Sequence, residues 1–165
     1  MEKLECDYLI IGSGAAAMAF VDVMLSESDA DFIIIDNHAA PGGHWNDAYP
    51  FVGLHQPAAF YGVNSLTLGN GSTDLSSKTE ILTYYEKIVT KFKASDRVEF
   101  LGQHNYLGNG QVADLQNPAN VTTYKINKRL VDATYMKVEV PSTHAPKYTI
   151  DKEVPIIPIN NLVTE

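Results

Sequence analysis

The chain has 165 residues, about 45% of them apolar, with a formal net charge of −8. That length supports one globular domain with a real core but is short for a complete two-domain enzyme. The acidic balance argues against nucleic acid or an anionic membrane as partner, because both call for a basic face.

The N-terminus, MEKLECDYLII, lacks a cationic leader and a cleavage site, and no apolar run approaches the roughly 18 residues of a membrane span. A soluble, cytoplasmic protein is expected. A single cysteine, Cys6, excludes an internal disulfide, a Cys-x-x-Cys pair and a cysteine-based zinc site. Tyr8 to Ile11 and Phe32 to Ile35 are apolar without alternation, as in parallel strands buried on both faces. Between them, 13–26 reads as one helix, so the first third of the chain is a right-handed βαβ unit. Residues 37–76 are rich in Gly, Pro, Asn, His and aromatics and have no sustained period, so they are either a long functional loop or contain elements that the pattern does not reveal.

Residues 77–93, SKTEILTYYEKIVTKFK, give the clearest helix. Ser77 and Glu80 form a capping box, and Ile81, Leu82, Tyr85, Ile88, Val89 and Phe92 form an apolar stripe. RVEFLG, 97–102, reads as a third parallel strand. Short β-rich pieces follow at His104 to Leu107, Val121 to Ile126 and Leu130 to Val140. The expected turns are GNG at 108–110, NPAN at 117–120 and NK at 127–128. This is an antiparallel meander where an ordinary NAD domain has a helix. The tail, interrupted by Pro155 and Pro158, reads as an edge strand or a linker.

The chemistry is concentrated in the turn after the first strand. Gly12-Ser13-Gly14-Ala15-Ala16-Ala17 fits Gly-x-Gly-x-x-Ala, follows a strand and opens a helix. Gly12 permits a sharp turn, Gly14 lacks a side chain where a pyrophosphate approaches the backbone, and Ala17 keeps helix and strand close. Ser13, Ala15 and Ala16 present the helix start, whose free N–H groups and dipole favour an anion. Asp36, 22 residues past Gly14, ends the second strand with Asn37 beside it. A carboxylate there accepts ribose hydroxyls and disfavours a 2′-phosphate, leaving NAD and FAD as candidates.

Six residues past that acid, Gly42-Gly43 would return a second loop to the same pyrophosphate. Together with Trp45, Tyr49 and Pro50, this pair resembles the Gly-Gly-x-Trp and Tyr-Pro motifs of the class B flavin monooxygenases. More broadly, the chain is similar over about residues 6–140 to the FAD-binding domain of the two-dinucleotide-domain flavoproteins, the pyridine nucleotide-disulfide oxidoreductase superfamily. The resemblance implies FAD as cofactor, NADPH or NADH as co-substrate, and Gly43, His44 and Trp45 running towards the flavin end. It also implies a reduced flavin that activates oxygen or carries out another oxidation.

The chain departs from that pattern in four places. His55 stands where Baeyer-Villiger enzymes usually carry an aspartate, and Ala133-Thr134-Tyr135 replaces Ala-Thr-Gly. The Phe-x-Gly-x-x-x-His fingerprint is absent, and so are the redox cysteines of a disulfide reductase.

Trp45 is read equally as a packed aromatic or as a wall of the flavin site. His38, His44, His55, His104 and His144 show no metal-ligand spacing, so no metal is assigned. His44 and His55 are expected to be structural or solvated rather than general acids, and no serine or cysteine nucleophile has a recognisable context. The loop at 54–66, with Phe60 and Tyr61, suits either a cover over a flavin ring or a segment pinned by aromatic packing.

The expected fold is a Rossmann-like α/β domain of three layers, with a parallel sheet and an antiparallel meander. Residues 1–150 form the FAD/NAD(P)-binding domain, incomplete at its C-terminal end, and 151–165 lead towards a missing second domain. The expected function is FAD binding in an NAD(P)H-dependent oxidoreductase of monooxygenase type, with no assigned catalytic residue and an isolated chain that is itself inactive. The alternatives are a non-enzymatic flavoprotein-like module and an NAD-binding dehydrogenase domain. The uncovered sheet edge points to a homodimer.

Overall fold

Residues 4–135, 149, 151, 152 and 154 are described by a computed structural model. The first apolar run becomes β1 (Glu5–Ile11), followed by α1 (Ala15–Glu27), β2 (Phe32–Asp36), α2 (Lys78–Lys93) and β3 (Val98–Gly102). Then come β4 (His104–Gly108), β5 (Gln111–Asp114), β6 (Val121–Thr123) and β7 (Lys125–Asp132). One sheet has the order β3-β2-β1-β7 with every pair parallel, and a second, antiparallel sheet has the order β4-β5-β6.

The unbroken apolar character of β1 and β2 has a direct cause: both faces of the parallel sheet are covered. Ile10, Phe32 and Ile34 pack with Ala17, Met18 and Val21 of α1 and with Ile81, Ile88 and Phe92 of α2. Cys6, Leu9, Ile33 and Ile35 pack on the other side against Val112 and Tyr124 of the meander region. The result is three layers, α/β/β, with each fully buried large side chain stabilising the fold by about 1.5–3 kcal/mol.

The capping box on α2 is present, with Ser77 N–H donating to Glu80 Oε2 at 2.8 Å and Glu80 N–H to Ser77 Oγ at 3.4 Å. The stripe differs in one position, because Leu82 is only half-buried while Tyr84 is buried.

The β-rich half needs a larger correction. GNG and NPAN do turn the chain, but a separate strand, β5, lies between them. NK does not form a hairpin turn: it lies inside β7, where the register against β1 shifts between the Cys6 and Tyr8 pairings. β7 is parallel to β1 and belongs to the main sheet, not to the meander. Residues 136–140 of the expected last strand, His144 and most of the tail lie outside the described residues.

This connection sets the position of the candidate site. From β1 the chain moves outward to β2 and β3, then returns through the meander to β7 on the far side of β1. The carboxyl ends of β1 and β7 therefore flank a reversal of strand order, the place where open α/β sheets receive ligands.

Candidate functional site

Gly12 leaves β1 at φ +94°, a conformation that strongly favours glycine, and a Cβ there would stand 3.1 Å from the Ala133 carbonyl after β7. Gly14 is the N-cap of α1, in extended backbone, with no side chain capping the helix and no acidic residue in its first turn. Ala15 and Ala16 are exposed, whereas Ala17 is fully buried against the sheet. The helix start thus offers backbone N–H groups with no capping side chain competing for them.

The second glycine pair comes back to this point. Gly42 N–H donates to the Ser13 carbonyl at 3.0 Å. Gly43, at φ +53°, is so close that a Cβ on it would be 2.9 Å from Gly14 Cα. The two glycine loops are in backbone contact, which a side chain at Gly43 would prevent.

Asp36 ends β2 at 6% exposure, and its carboxylate accepts four hydrogen bonds. Ser13 N–H and Ser13 Oγ–H donate to Oδ2 at 2.7 and 2.6 Å. His38 N–H donates to Oδ1 at 2.8 Å, and His38 Nδ1 lies 2.8 Å from the same oxygen. His38 Nε2 in turn lies 2.9 Å from Asp47 Oδ2. Partial burial of the ring opposes a charge on His38, but the hydrogen bonds to Asp47 and Asp36 and their negative charges outweigh it and raise its pKa.

Ser13, expected at the pyrophosphate, therefore turns its hydroxyl to Asp36, and Asn37 is exposed. His38 was assigned nothing by its spacing. An Asp-x-His triplet at a strand end is the local signal for such a contact, since residues two apart can close an Asx-type turn.

His44 and Trp45 lie in a 3₁₀ turn (Gly43–Trp45), with ring centroids 5.4 Å apart, and the Tyr135 ring lies 5.5 Å from that of His44. Partial burial lowers the pKa of His44, with Asp47 opposing the shift. Trp45 also packs against the main core. Tyr135, where the resembled family has glycine, is 70% exposed. His55 is exposed and meets Tyr61 edge-on at 6.3 Å.

The long loop is pinned rather than loosely draped. Tyr84 Oη accepts from Val63 N–H at 2.7 Å and donates to the Leu66 carbonyl at 2.5 Å. Ser65 bonds the buried Asp22 of α1 through its amide and hydroxyl. Lys78 Nζ donates to the Asn46 and Ala48 carbonyls. A cavity of about 340 Å³ lies between this loop and α2, lined by Leu68, Glu80, Tyr84 and Lys87 among others and by no residue of either glycine loop. The strand reversal and the α1 N-terminus converge instead at the glycine loops. Among the described residues, no cluster of three or more His, Cys, Asp or Glu could hold a metal, and no helix is long and apolar enough to cross a membrane.

No family model matches the chain. An uncharacterised protein of Mycobacterium tuberculosis is 40% identical over 172 residues, a match covering 98% of this chain and 32% of the relative. An uncharacterised oxidoreductase of Bacillus subtilis, CzcO, is 31% identical over 87 residues, 53% of this chain and 25% of the relative. The chain thus spans about a third of the length of the first of these curated relatives and a quarter of the second.

Among solved structures, a flavin-containing monooxygenase from Stenotrophomonas maltophilia superposes with a TM-score of 0.60 at 19% identity, covering 79% of this chain and 38% of that one. A bacillithiol disulfide reductase from Staphylococcus aureus gives 0.61 at 13% identity, covering 79% and 38%. A cyclohexanone monooxygenase gives 0.59 at 20% identity, covering 84% and 28%. The parallel sheet, its covering helices and the antiparallel meander therefore make up the α/β fold shared with the flavin monooxygenases, and the resemblance carried by Gly42, Gly43 and Trp45 holds at the level of the fold.

Proposed function

We propose that this chain is the FAD-binding part of an NAD(P)H-dependent flavin oxidoreductase of monooxygenase type. In this reading 1–150 form the nucleotide-binding domain and 151–165 lead on to a second domain. The observation that carries the reading is the backbone contact between Gly14 and Gly43 over an α1 N-terminus that no side chain caps. That arrangement suits a pyrophosphate: N–H groups and a helix dipole face the anion, and two glycines leave the backbone bare on either side. Gly12, Ser13, Gly14, Ala15, Ala16 and Gly43 would surround the pyrophosphate, Asp36 and Asn37 the adenosine ribose, and His44 and Trp45 the path towards the flavin.

A bound flavin would supply hydride acceptance from NADH or NADPH and electron delivery to oxygen or another oxidant. The chain's own contribution is positional. Its backbone donors would neutralise the pyrophosphate, and the contact between Gly14 and Gly43 would fix where it sits. FAD should bind the purified chain in calorimetric titration, while FMN, which lacks the adenosine half, should bind at least tenfold more weakly. Equal affinity for the two, or no binding of FAD, would overturn the proposal.

A further inference from the structure

Both ring nitrogens of His38 face carboxylate oxygens, Asp36 Oδ1 at 2.8 Å and Asp47 Oδ2 at 2.9 Å. A neutral imidazole has one N–H and one bare lone pair, so it can satisfy only one of these contacts and sets lone pair against lone pair at the other. The two-sided bridge requires the imidazolium, whose two N–H groups make charge-assisted bonds. The raised pKa of His38 agrees with this geometry.

The bridge occupies the carboxylate that a ribose would use. Asp36 accepts four hydrogen bonds, about the full lone-pair capacity of its two oxygens, so a ribose hydroxyl can donate to it only by displacing one of them. Two of the donors are backbone amides held by the chain, and the Ser13 hydroxyl belongs to a fully buried residue. The His38 ring, at 30% exposure, is the one donor that can rotate away into solvent.

We propose that the His38 imidazolium is a displaceable plug on the adenosine-ribose position, so that FAD binding lifts this ring off Asp36 and strengthens as His38 loses its proton. The proposal rests on the FAD reading given above and makes His38 a positioning residue acting through Asp36.

The sign follows from linkage. The free chain stabilises protonated His38, and binding removes that stabilisation, so affinity is weakest below the pKa of the released ring and rises to a plateau above the raised value. Each unit by which the bridge raises the pKa weakens acid-side affinity about tenfold. Among the described residues, Asp36 at the end of β2 and Asp47 after the 3₁₀ turn face this bridge directly. His44 lies within the electrostatic reach of Asp47, and Lys78 at the start of α2 holds the carbonyls on either side of Asp47. The lowered pKa of His44 places its own titration below that of His38.

The test is FAD affinity, read from flavin fluorescence between about pH 5.5 and pH 8.5, alongside the His38 imidazole resonance in NMR titrations with and without FAD. Affinity should rise at least about threefold from the acid to the alkaline end of that range, the direction set by the loss of the His38 proton. The resonance should titrate above the ordinary histidine value in the free chain and fall on FAD saturation. His38→Ala and His38→Gln should both lose the pH dependence, whereas Asp47→Asn, which keeps the ring but removes one carboxylate, should move the rise to lower pH. FAD binding that is flat with pH, stronger in acid, or still pH-dependent in both His38 variants would overturn this proposal alone. So would an unshifted His38 resonance in the free chain, whatever FAD does. Failure to bind FAD at any pH would overturn it together with the cofactor reading.

Discussion

Replacing Gly14 with alanine separates what the chain needs from what a ligand needs. Gly14 sits at φ −85° and ψ −168°, extended backbone open to any residue, and an added Cβ would meet only Gly43 Cα at 3.7 Å, an ordinary contact. Alanine gains about 0.4–1 kcal/mol through a less flexible unfolded chain and loses a similar amount as a poorer N-cap. The two effects nearly cancel, so folding stability should change by less than about 0.5 kcal/mol in urea unfolding. For a pyrophosphate on the α1 N-terminus the same methyl is an obstruction, and losing one charge-assisted hydrogen bond to a backbone amide costs about 1.5–3 kcal/mol. FAD affinity in fluorescence titration should therefore drop tenfold or more while the unfolding midpoint stays in place. Unchanged affinity with unchanged stability would refute the assignment of this loop to the pyrophosphate. A stability loss above about 2 kcal/mol would show that the chain itself requires the glycine.

Gly43→Ala should behave oppositely, because its φ of +53° and a 2.9 Å approach to Gly14 Cα penalise the fold itself. A loss of about 1–3 kcal/mol in urea is expected, against about 1 kcal/mol for Gly71→Ala, which has a positive φ but open space around it. Asp36→Ala leaves the Ser13 and His38 donors without their acceptor and should lower stability by about 1–3 kcal/mol while weakening FAD binding, both measurable on one preparation. Arg97→Ala removes the guanidinium that bonds the Leu25, Ser28 and Ala30 carbonyls at the end of α1. It should cost about 1.5–3 kcal/mol in chemical unfolding without changing FAD affinity. Tyr84→Phe strips the hydroxyl that links Val63 N–H to the Leu66 carbonyl, and hydrogen exchange at 61–68 should speed up while α2 keeps its protection.

The elements visible in the sequence are those whose causes are local. β1 and β2 announce themselves as apolar runs because two covering layers demand apolar side chains on both faces. The helix at 78–93 announces itself because a capping box and a 3.6-residue stripe are complete within one turn and one face. The glycine positions are also legible: positive φ at Gly12, Gly42 and Gly43 leaves a residue type, not merely a pattern, as its trace.

What only the tertiary structure decided involves partners far apart in the chain. β7, KINKRLVD, is polar and largely exposed, so nothing in its composition distinguishes an antiparallel hairpin arm from a parallel edge strand. Its identity comes from backbone pairing with β1, Glu5 to Lys125, across 120 residues, and backbone hydrogen bonds carry no side-chain signature. The same holds at the site. The types and spacing of Gly12, Gly14 and Asp36 pointed to a dinucleotide, but the rotamers that turn Ser13 Oγ onto Asp36 and stretch His38 between two carboxylates depend on where β2 and the Gly42-Gly43 loop come to rest. Residue types are set one position at a time and can be read in order. The occupancy of each lone pair on a buried carboxylate is settled only when four donors from two segments, Ser13 after β1 and His38 after β2, have been packed around it.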